Sequence, residues 1–463
     1  MKIHFWGAAR QVTGSMHLLE LQDGTNILLD CGLDYEQQRY FLDNPRSAFP
    51  FDPASVYCVI LSHAHVDHSG NIPNLIRQGF QGKVYCTPPT AELIYPLLKD
   101  SAKIQALEYR QSQRKKGIKK PKPLYTEKHI EETMNRLVLL DFHHPFAIRE
   151  DVQVTLYEAG HILGAAYIYL EILDNHRLKT LAFTGDWGRL HSKLVKDPEP
   201  MRNSDVLISE STYGGRIHKK NVDACDELWH HIESTCVKRG GKLIIPAFSV
   251  GRTQAIVFAI RQLYVQGKLP DIRVFVDSPL AVTSTRIYSQ FPELLNSEAQ
   301  QHLEKEKSLF HFPNLRMVED PDQAAELATF RDACIIVSAA GMVEGGRIQE
   351  HIRQNIGHPS ATILIAGFCA EGTLGHRLLQ GQSTIRIKNR DFPVYAQIAS
   401  TDVFSSHADH DTLKNMILQS VKPGRKVFLV HGDSRQMELL KEDVEKFTDN
   451  EIWMPEAGDV YIM

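Results

Sequence analysis

Eight consecutive residues constrain this chain more than any other stretch: His63-Ala64-His65-Val66-Asp67-His68-Ser69-Gly70. They follow Val56-Tyr57-Cys58-Val59-Ile60-Leu61, an apolar, β-branched run that reads as a buried strand. Three imidazoles and a carboxylate then arrive at i, i+2, i+4 and i+5. Where a strand gives way to a loop, His63 and His65 can point the same way, while Asp67 and His68 reach a second point close by. That spacing suits two adjacent metal ions better than one. Imidazole with carboxylate suits zinc, at bond lengths of about 2.0–2.2 Å.

Other candidate ligands sit at the ends of strand-like runs. Asn26-Ile27-Leu28-Leu29 runs into Asp30, which can either cap a turn or hold a metal-ligating histidine from behind. The alternating strand Val152-Gln153-Val154-Thr155-Leu156 leads to His161, flanked by small residues that let the backbone approach closely. Leu181-Ala182-Phe183-Thr184 leads to Asp186 between Gly185 and Gly188, where one carboxylate can serve two metals with its two oxygens.

The bulk numbers exclude several classes. With 463 residues, 43% hydrophobic and 23% charged, the chain is an ordinary globular protein of two or three domains' worth of structure. No apolar run reaches the length of a membrane span, and the N-terminus reads as a first strand, not as a signal peptide. Seven scattered cysteines with no CxxC pair read as buried free thiols, so a cytoplasmic location is expected. A formal charge of −4 requires any nucleic-acid footprint to be local. The one basic concentration lies in 100–135, with Lys103, Arg110, Arg114, Lys115, Lys116, Lys119, Lys120, Lys122 and Lys128. It reads equally as a solvated insertion or as a phosphate-contacting surface.

From about residue 205 the rhythm changes to strand, loop, helix. Apolar runs at 206–210, 242–246, 273–277, 334–338 and 362–366 are each followed by a glycine-containing loop and a helix-like stretch, which predicts a parallel α/β sheet. Two of the loops, Phe248 to Gln254 and Ser338 to Arg347, place small residues and arginine before a helix start. Backbone N–H groups and guanidinium in that setting bind phosphate. Ser249, Arg252, Ser338, Gly341 and Arg347 are therefore the candidate substrate-binding residues. Beyond this domain, His407 stands in Phe404-Ser405-Ser406-His407-Ala408-Asp409-His410, and His431 ends the strand Lys426 to Val430.

Taken in order, these motifs resemble the HxHxDH signature and ligand order of the metallo-β-lactamase fold, and the inserted domain narrows the resemblance to the β-CASP family. Glu210 in Ser209-Glu210-Ser211-Thr212-Tyr213, His407 and His431 are similar to that family's motifs A, B and C. The likeness covers nearly the whole chain. It implies an α/β fold: an αββα sandwich formed by 1–204 and completed by 386–463, with a parallel α/β β-CASP domain over 205–385. Two zinc ions per chain are implied, one held by His63, His65 and His161, the other by Asp67, His68 and His431, with Asp186 bridging and Asp30 in support. Catalytic roles fall to Asp67, to His407 as general acid, and to Glu210, which orients it. The implied activity is hydrolysis of single-stranded RNA leaving 5′-phosphate and 3′-hydroxyl ends, since the DNA-processing branch resembles a valine where His431 stands. A non-RNA hydrolase of the same outer fold and a non-catalytic RNA-binding subunit are the alternatives. No membrane partner is expected, and a homodimer is compatible with the sequence.

Overall fold

The computed structural model describes residues 1–34, 49–114, 122–174, 177–219 and 222–463. Lys115, Lys116, Lys119 and Lys120 of the basic segment lie outside the described residues. The chain forms two compact units: Met1–Leu190 with Asp197–Ile217 and His407–Met463, and His191–Lys196 with His218–Ser406.

The first unit is built on two seven-stranded sheets among the described residues. One runs in the order Val460–Ile462, Lys2–Gly7, Met16–Glu20, Asn26–Leu29, Val56–Ile60, Lys83–Cys86, Leu137–Leu139. The other runs Glu451–Trp453, Val421–Val430, Ser204–Glu210, Arg177–Phe183, Ala166–Asp174, Val152–Glu158, Phe146–Arg149. Between them lies a core to which both contribute: Phe5, Ile27 and Ile60 from the first sheet, with Leu156, Ile168, Phe183, Ile208 and Phe428 from the second. On its other face the first sheet packs Leu28, Val59 and Val84 against Ile72, Leu75, Ile94, Leu98 and Ile130 of its helices. The run before the histidines is apolar at successive positions for this reason. Cys58 and Ile60 face the second sheet while Val59 and Leu61 face the helices, so both sides of the strand are buried. Helices His410–Ser420 and Ser434–Val444 pack on strands Ser204–Glu210 and Val421–Val430 of the second sheet.

The basic region continues a long helix, Pro88–Arg114. Its apolar face continues through Leu97, Leu98 and Ser101, and the following segment ties back to it: Tyr125 donates to Ser101 at 3.0 Å and the Leu124 N–H donates to Gln105 at 2.9 Å. Lys103, Arg110 and Arg114 are exposed along it.

The second unit carries a six-stranded parallel sheet, ordered Leu315–Met317, Arg273–Asp277, Cys334–Ser338, Lys242–Pro246, Thr362–Ile365, Gln397–Ser400. The strand Ser204–Glu210, read above as the opening of this domain, instead hydrogen-bonds in the outer unit between Arg177–Phe183 and Val421–Val430, parallel to both. Its parallel neighbours and apolar run are the same in either sheet, which is why the sequence alone misplaced it. All seven cysteines are buried and free. No helix among the described residues is long and apolar enough to cross a membrane.

Candidate metal centre

Every chemistry-bearing side chain of the first unit sits at the carboxyl end of a strand or in the loop after it. Asp30 follows Asn26–Leu29, His63 follows Val56–Ile60, His161 follows Val152–Glu158, and Asp186 follows Arg177–Phe183. Glu210 ends its own strand, and His431 follows Val421–Val430. Tight backbone approach makes this convergence possible. A Cβ on Gly32 would lie 1.6 Å from the Asp67 carbonyl oxygen, so only glycine lets the strand end meet the histidine-rich loop. Asp30 and His431 are non-glycine residues with φ of 57° and 50°, a left-handed conformation that costs energy and collects at functional sites.

Two groups of ligand atoms meet at Asp186. In the first, His63 Nε2 and His161 Nε2 lie 3.1 and 3.2 Å from His65 Nδ1, and 3.5 and 3.3 Å from Asp186 Oδ2. In the second, His68 Nε2 and His431 Nε2 are 3.2 Å apart, His68 Nε2 is 3.2 Å from Asp186 Oδ1, and His431 Nε2 is 3.6 Å from Asp67 Oδ2. Each oxygen of Asp186 therefore faces a different set of imidazoles, and each set could hold a metal ion.

A network behind the imidazoles fixes which nitrogen points inward. Asp30 Oδ2 accepts from His68 Nδ1 at 2.6 Å and from the Ser62 hydroxyl at 2.9 Å, while its Oδ1 accepts the Ser62 N–H at 2.8 Å. Having donated to Asp30, the Ser62 hydroxyl accepts from His63 Nδ1 at 3.1 Å. Thr212 Oγ1 stands 3.1 Å from His431 Nδ1. With their outer nitrogens engaged, His63 and His68 turn Nε2 inward, as metal-ligating histidines do. Burial and neighbouring imidazoles hold His63 and His161 well below the ordinary histidine range, hence neutral and able to donate. Asp186 and Asp30 pull His68 well above it despite its burial. Burial works against the charge on Asp186, but the surrounding imidazoles keep it well below the carboxylate range. Its Oδ1 has no hydrogen-bond partner among the described residues although it is buried. Convergent nitrogens around a buried carboxylate demand positive charge between them, so the donor set fits a metal.

Beside this centre, His407 Nδ1 lies 3.2 Å from both oxygens of Glu210. Glu210 is fully buried and also accepts the Trp187 N–H at 2.5 Å and the Thr212 N–H at 3.3 Å. His407 pairs through its backbone with Gly188, just after Asp186, and its Nε2 points to within 4.0 Å of Asp186 Oδ2. All seven expected ligands and the His407–Glu210 pair thus come together. Ser62, Thr212 and the Trp187 N–H were not anticipated. Ser62 alone left a sequence signal, being the residue immediately before His63.

In the second unit, Arg252 lies over the Phe248 ring, 4.7 Å from its centroid, and a Cβ on Gly341 would lie 3.3 Å from its guanidinium. Ser249 Oγ is 3.2 Å from Ser278 Oγ. Ser338 and Arg347 are engaged differently. The Ser338 hydroxyl donates to the Asp277 carbonyl at 2.8 Å, and Arg347 donates to the Asp277 carboxylate at 2.6 Å, which His351 also meets at 2.6 Å.

Two facing sheets with a histidine and aspartate cluster at their strand ends define a metallo-β-lactamase fold. Residues 9–163 match the metallo-β-lactamase superfamily, 253–378 the β-CASP domain, and 391–455 the RNA specificity domain of zinc-dependent metallo-hydrolases. The chain is 30% identical over 438 residues to Ribonuclease TTHA0252 of Thermus thermophilus, covering 94% of each. It is 31% identical to an RNase J-like protein of Methanocaldococcus jannaschii, covering 94% of this chain and 93% of that one. With the transcription termination factor FttA of the same organism it shares 30% identity over 98% of its own length and 70% of the relative's. A crystal structure of a protein of unknown function from Enterococcus faecalis shares the fold, with a TM-score of 0.53 at 14% identity over 100% of this chain and 99% of that one. The chain belongs to the β-CASP family of metallo-β-lactamase-fold hydrolases.

Proposed function

We infer that this chain is a ribonuclease that hydrolyses phosphodiester bonds of single-stranded RNA with two zinc ions. The observation that carries the reading is the division of Asp186 between two imidazole sets with the His407–Glu210 pair alongside. His63, His65 and His161 would hold one ion, Asp67, His68 and His431 the other, and Asp186 both. Bound zinc supplies activated water at neutral pH and offsets charge on phosphoryl oxygens.

The remaining chemistry belongs to the side chains. Glu210, fixed by two backbone N–H groups, accepts from His407 Nδ1 and leaves Nε2 facing the metal centre. From there His407 gives a proton to the departing ribose 3′-oxygen, a poor leaving group that cannot depart as an alkoxide. The products are a 5′-phosphate and a 3′-hydroxyl. Ser249, Arg252 and the backbone at Gly341 hold RNA phosphate, while Ser338 and Arg347 brace that surface through Asp277. The RNA specificity domain match and the ribonuclease relatives support RNA as the substrate.

The test uses purified, zinc-loaded protein with end-labelled linear RNA and with circular RNA. Cleavage that a chelator abolishes and zinc restores, leaving 5′-phosphate ends, is expected. Cutting of the circle separates internal cleavage from attack at an end. Inert protein with two zinc ions bound would overturn the reading.

A further inference from the structure

Glu210, His407 and His431 come from three distant parts of the sequence and meet beside one loop. The loop after Glu210, Ser211 to Arg216, is the common element. Its Thr212 touches both the Glu210 carboxylate and His431. This loop sits tightly against helix Ser434–Val444, where a Cβ on Gly214 would lie 2.4 Å from the Gln436 carbonyl oxygen and the Gly215 N–H donates to Gln436 Oε1 at 2.9 Å.

His410 ties the three segments together. Its backbone N–H donates to the Arg216 carbonyl at 2.8 Å, and its ring Nδ1 donates to the Gly214 carbonyl. Its Nε2 meets Asp443 Oδ2 at 3.0 Å. Asp443 belongs to the helix that follows His431, and His410 begins the helix that follows His407. One side chain therefore spans the Glu210 loop, the His407 helix and the His431 helix. The charged groups around the pair are Lys414 at 2.8 Å and Lys446 at 3.3 Å from Asp443. They hold the Asp443 carboxyl well below its usual range together with His410, so it remains an acceptor. Each ring nitrogen of His410 thus faces an oxygen that only accepts.

We propose that the His410–Asp443 pair is a positioning device that sets the Glu210 loop, and through Glu210 and Thr212 the orientation of His407 and His431. Neither residue touches a ligand atom of the metal centre in the contacts above. Their effect travels through hydrogen bonds to backbone carbonyls. The inference rests on the ribonuclease reading, since it concerns the proton delivered by His407.

The experiment compares the wild type with His410→Gln, Asp443→Asn and Asp443→Ala. Zinc content, kcat and KM are measured on RNA and on an activated aryl phosphodiester whose leaving group needs no proton. Supporting residues of this kind contribute on the order of 10–100-fold. His410→Gln and Asp443→Ala are expected to lower kcat on RNA by that amount, with zinc and KM retained and the aryl ester spared. Asp443→Asn, whose amide oxygen still accepts from Nε2, is expected to recover much of the Asp443→Ala loss. Wild-type kcat in all three variants would overturn the proposal. So would equal losses on both substrates, or zinc lost together with activity, because either would mark a merely structural contact. If His410→Gln fails to fold, the difference between Asp443→Asn and Asp443→Ala still decides. A wild type inert on RNA would instead defeat the ribonuclease reading itself.

Discussion

Two sets of loops, both at the carboxyl ends of strands, treat their charges in opposite ways. In the outer unit, imidazole nitrogens converge on Asp186, with the other nitrogens of His63, His68 and His431 held from behind. In the inserted unit, the comparable loops close on themselves: Asp277 takes both Arg347 and His351 at 2.6 Å, and their hydrogen bonds hold its carboxyl below the usual range against burial. The same architecture yields one cluster that could hold a cation and another that is satisfied within itself. Chemistry belongs where the protein leaves charge uncompensated.

The sharpest way to break this contrast is Asp186→Ala. Because that carboxylate serves both imidazole sets, zinc and RNA hydrolysis should vanish together, as read by elemental analysis and an RNA cleavage assay. A variant keeping two ions would contradict the shared-ligand reading.

Next comes His407→Ala. A general acid contributes roughly a hundred- to ten-thousand-fold, and that loss is expected on RNA with zinc still bound. An aryl phosphodiester should be hydrolysed at a rate much nearer the wild type's, and Glu210→Gln should show the same pattern more mildly.

Asp277→Ala probes the other side. Removing one partner of a buried ion pair costs about 3–5 kcal/mol, so thermal or denaturant unfolding of the inserted unit should shift while zinc stoichiometry does not. Zinc loss in this variant would mean the two clusters are not independent.

The smallest effect concerns His17, which is fully buried, packs between Phe5 and Phe183, and has no hydrogen-bond partner on either nitrogen among the described residues. Burial first, then the charges of His68 and His431, lower it to about 3. A histidine whose folded value lies below its unfolded one takes up a proton on unfolding. The associated stability is full above about pH 6.5 and falls as pH drops toward 3, by about 1.4 kcal/mol per unit. His17→Leu should therefore gain about 2 kcal/mol relative to the wild type on going from pH 7 to pH 5, measured by denaturant titration at both values. An unchanged difference would show that His17 has a proton partner.

Much of the candidate metal centre was legible because its candidate ligands occupy strand ends in patterned company, where residue type and position carry the meaning. His63 to His68 declare themselves by spacing, and Asp186 by its flanking glycines. The support was less legible. Thr212 and Ser62 are ordinary hydroxyl residues whose roles appear only when distant strands meet. At Ser338 and Arg347 the sequence shows a serine and an arginine in a glycine-rich loop, but not that both bond Asp277 from a distant strand. Strand Ser204–Glu210 could not be assigned from its own residues, because sheet membership is decided by its neighbours.

That strand has a consequence in time. Ser204–Glu210 pairs in register with Val421–Val430, so Glu210 lies beside Val430 although 430 − 210 = 220 residues separate them. A ribosome adding about 5–20 residues per second needs about 10–45 s to cross that gap. Throughout it the nascent chain owns His63 to His68, His161 and Asp186 but not His431, and for most of it not His407 either. The candidate centre is therefore completed only after the inserted unit has been synthesised.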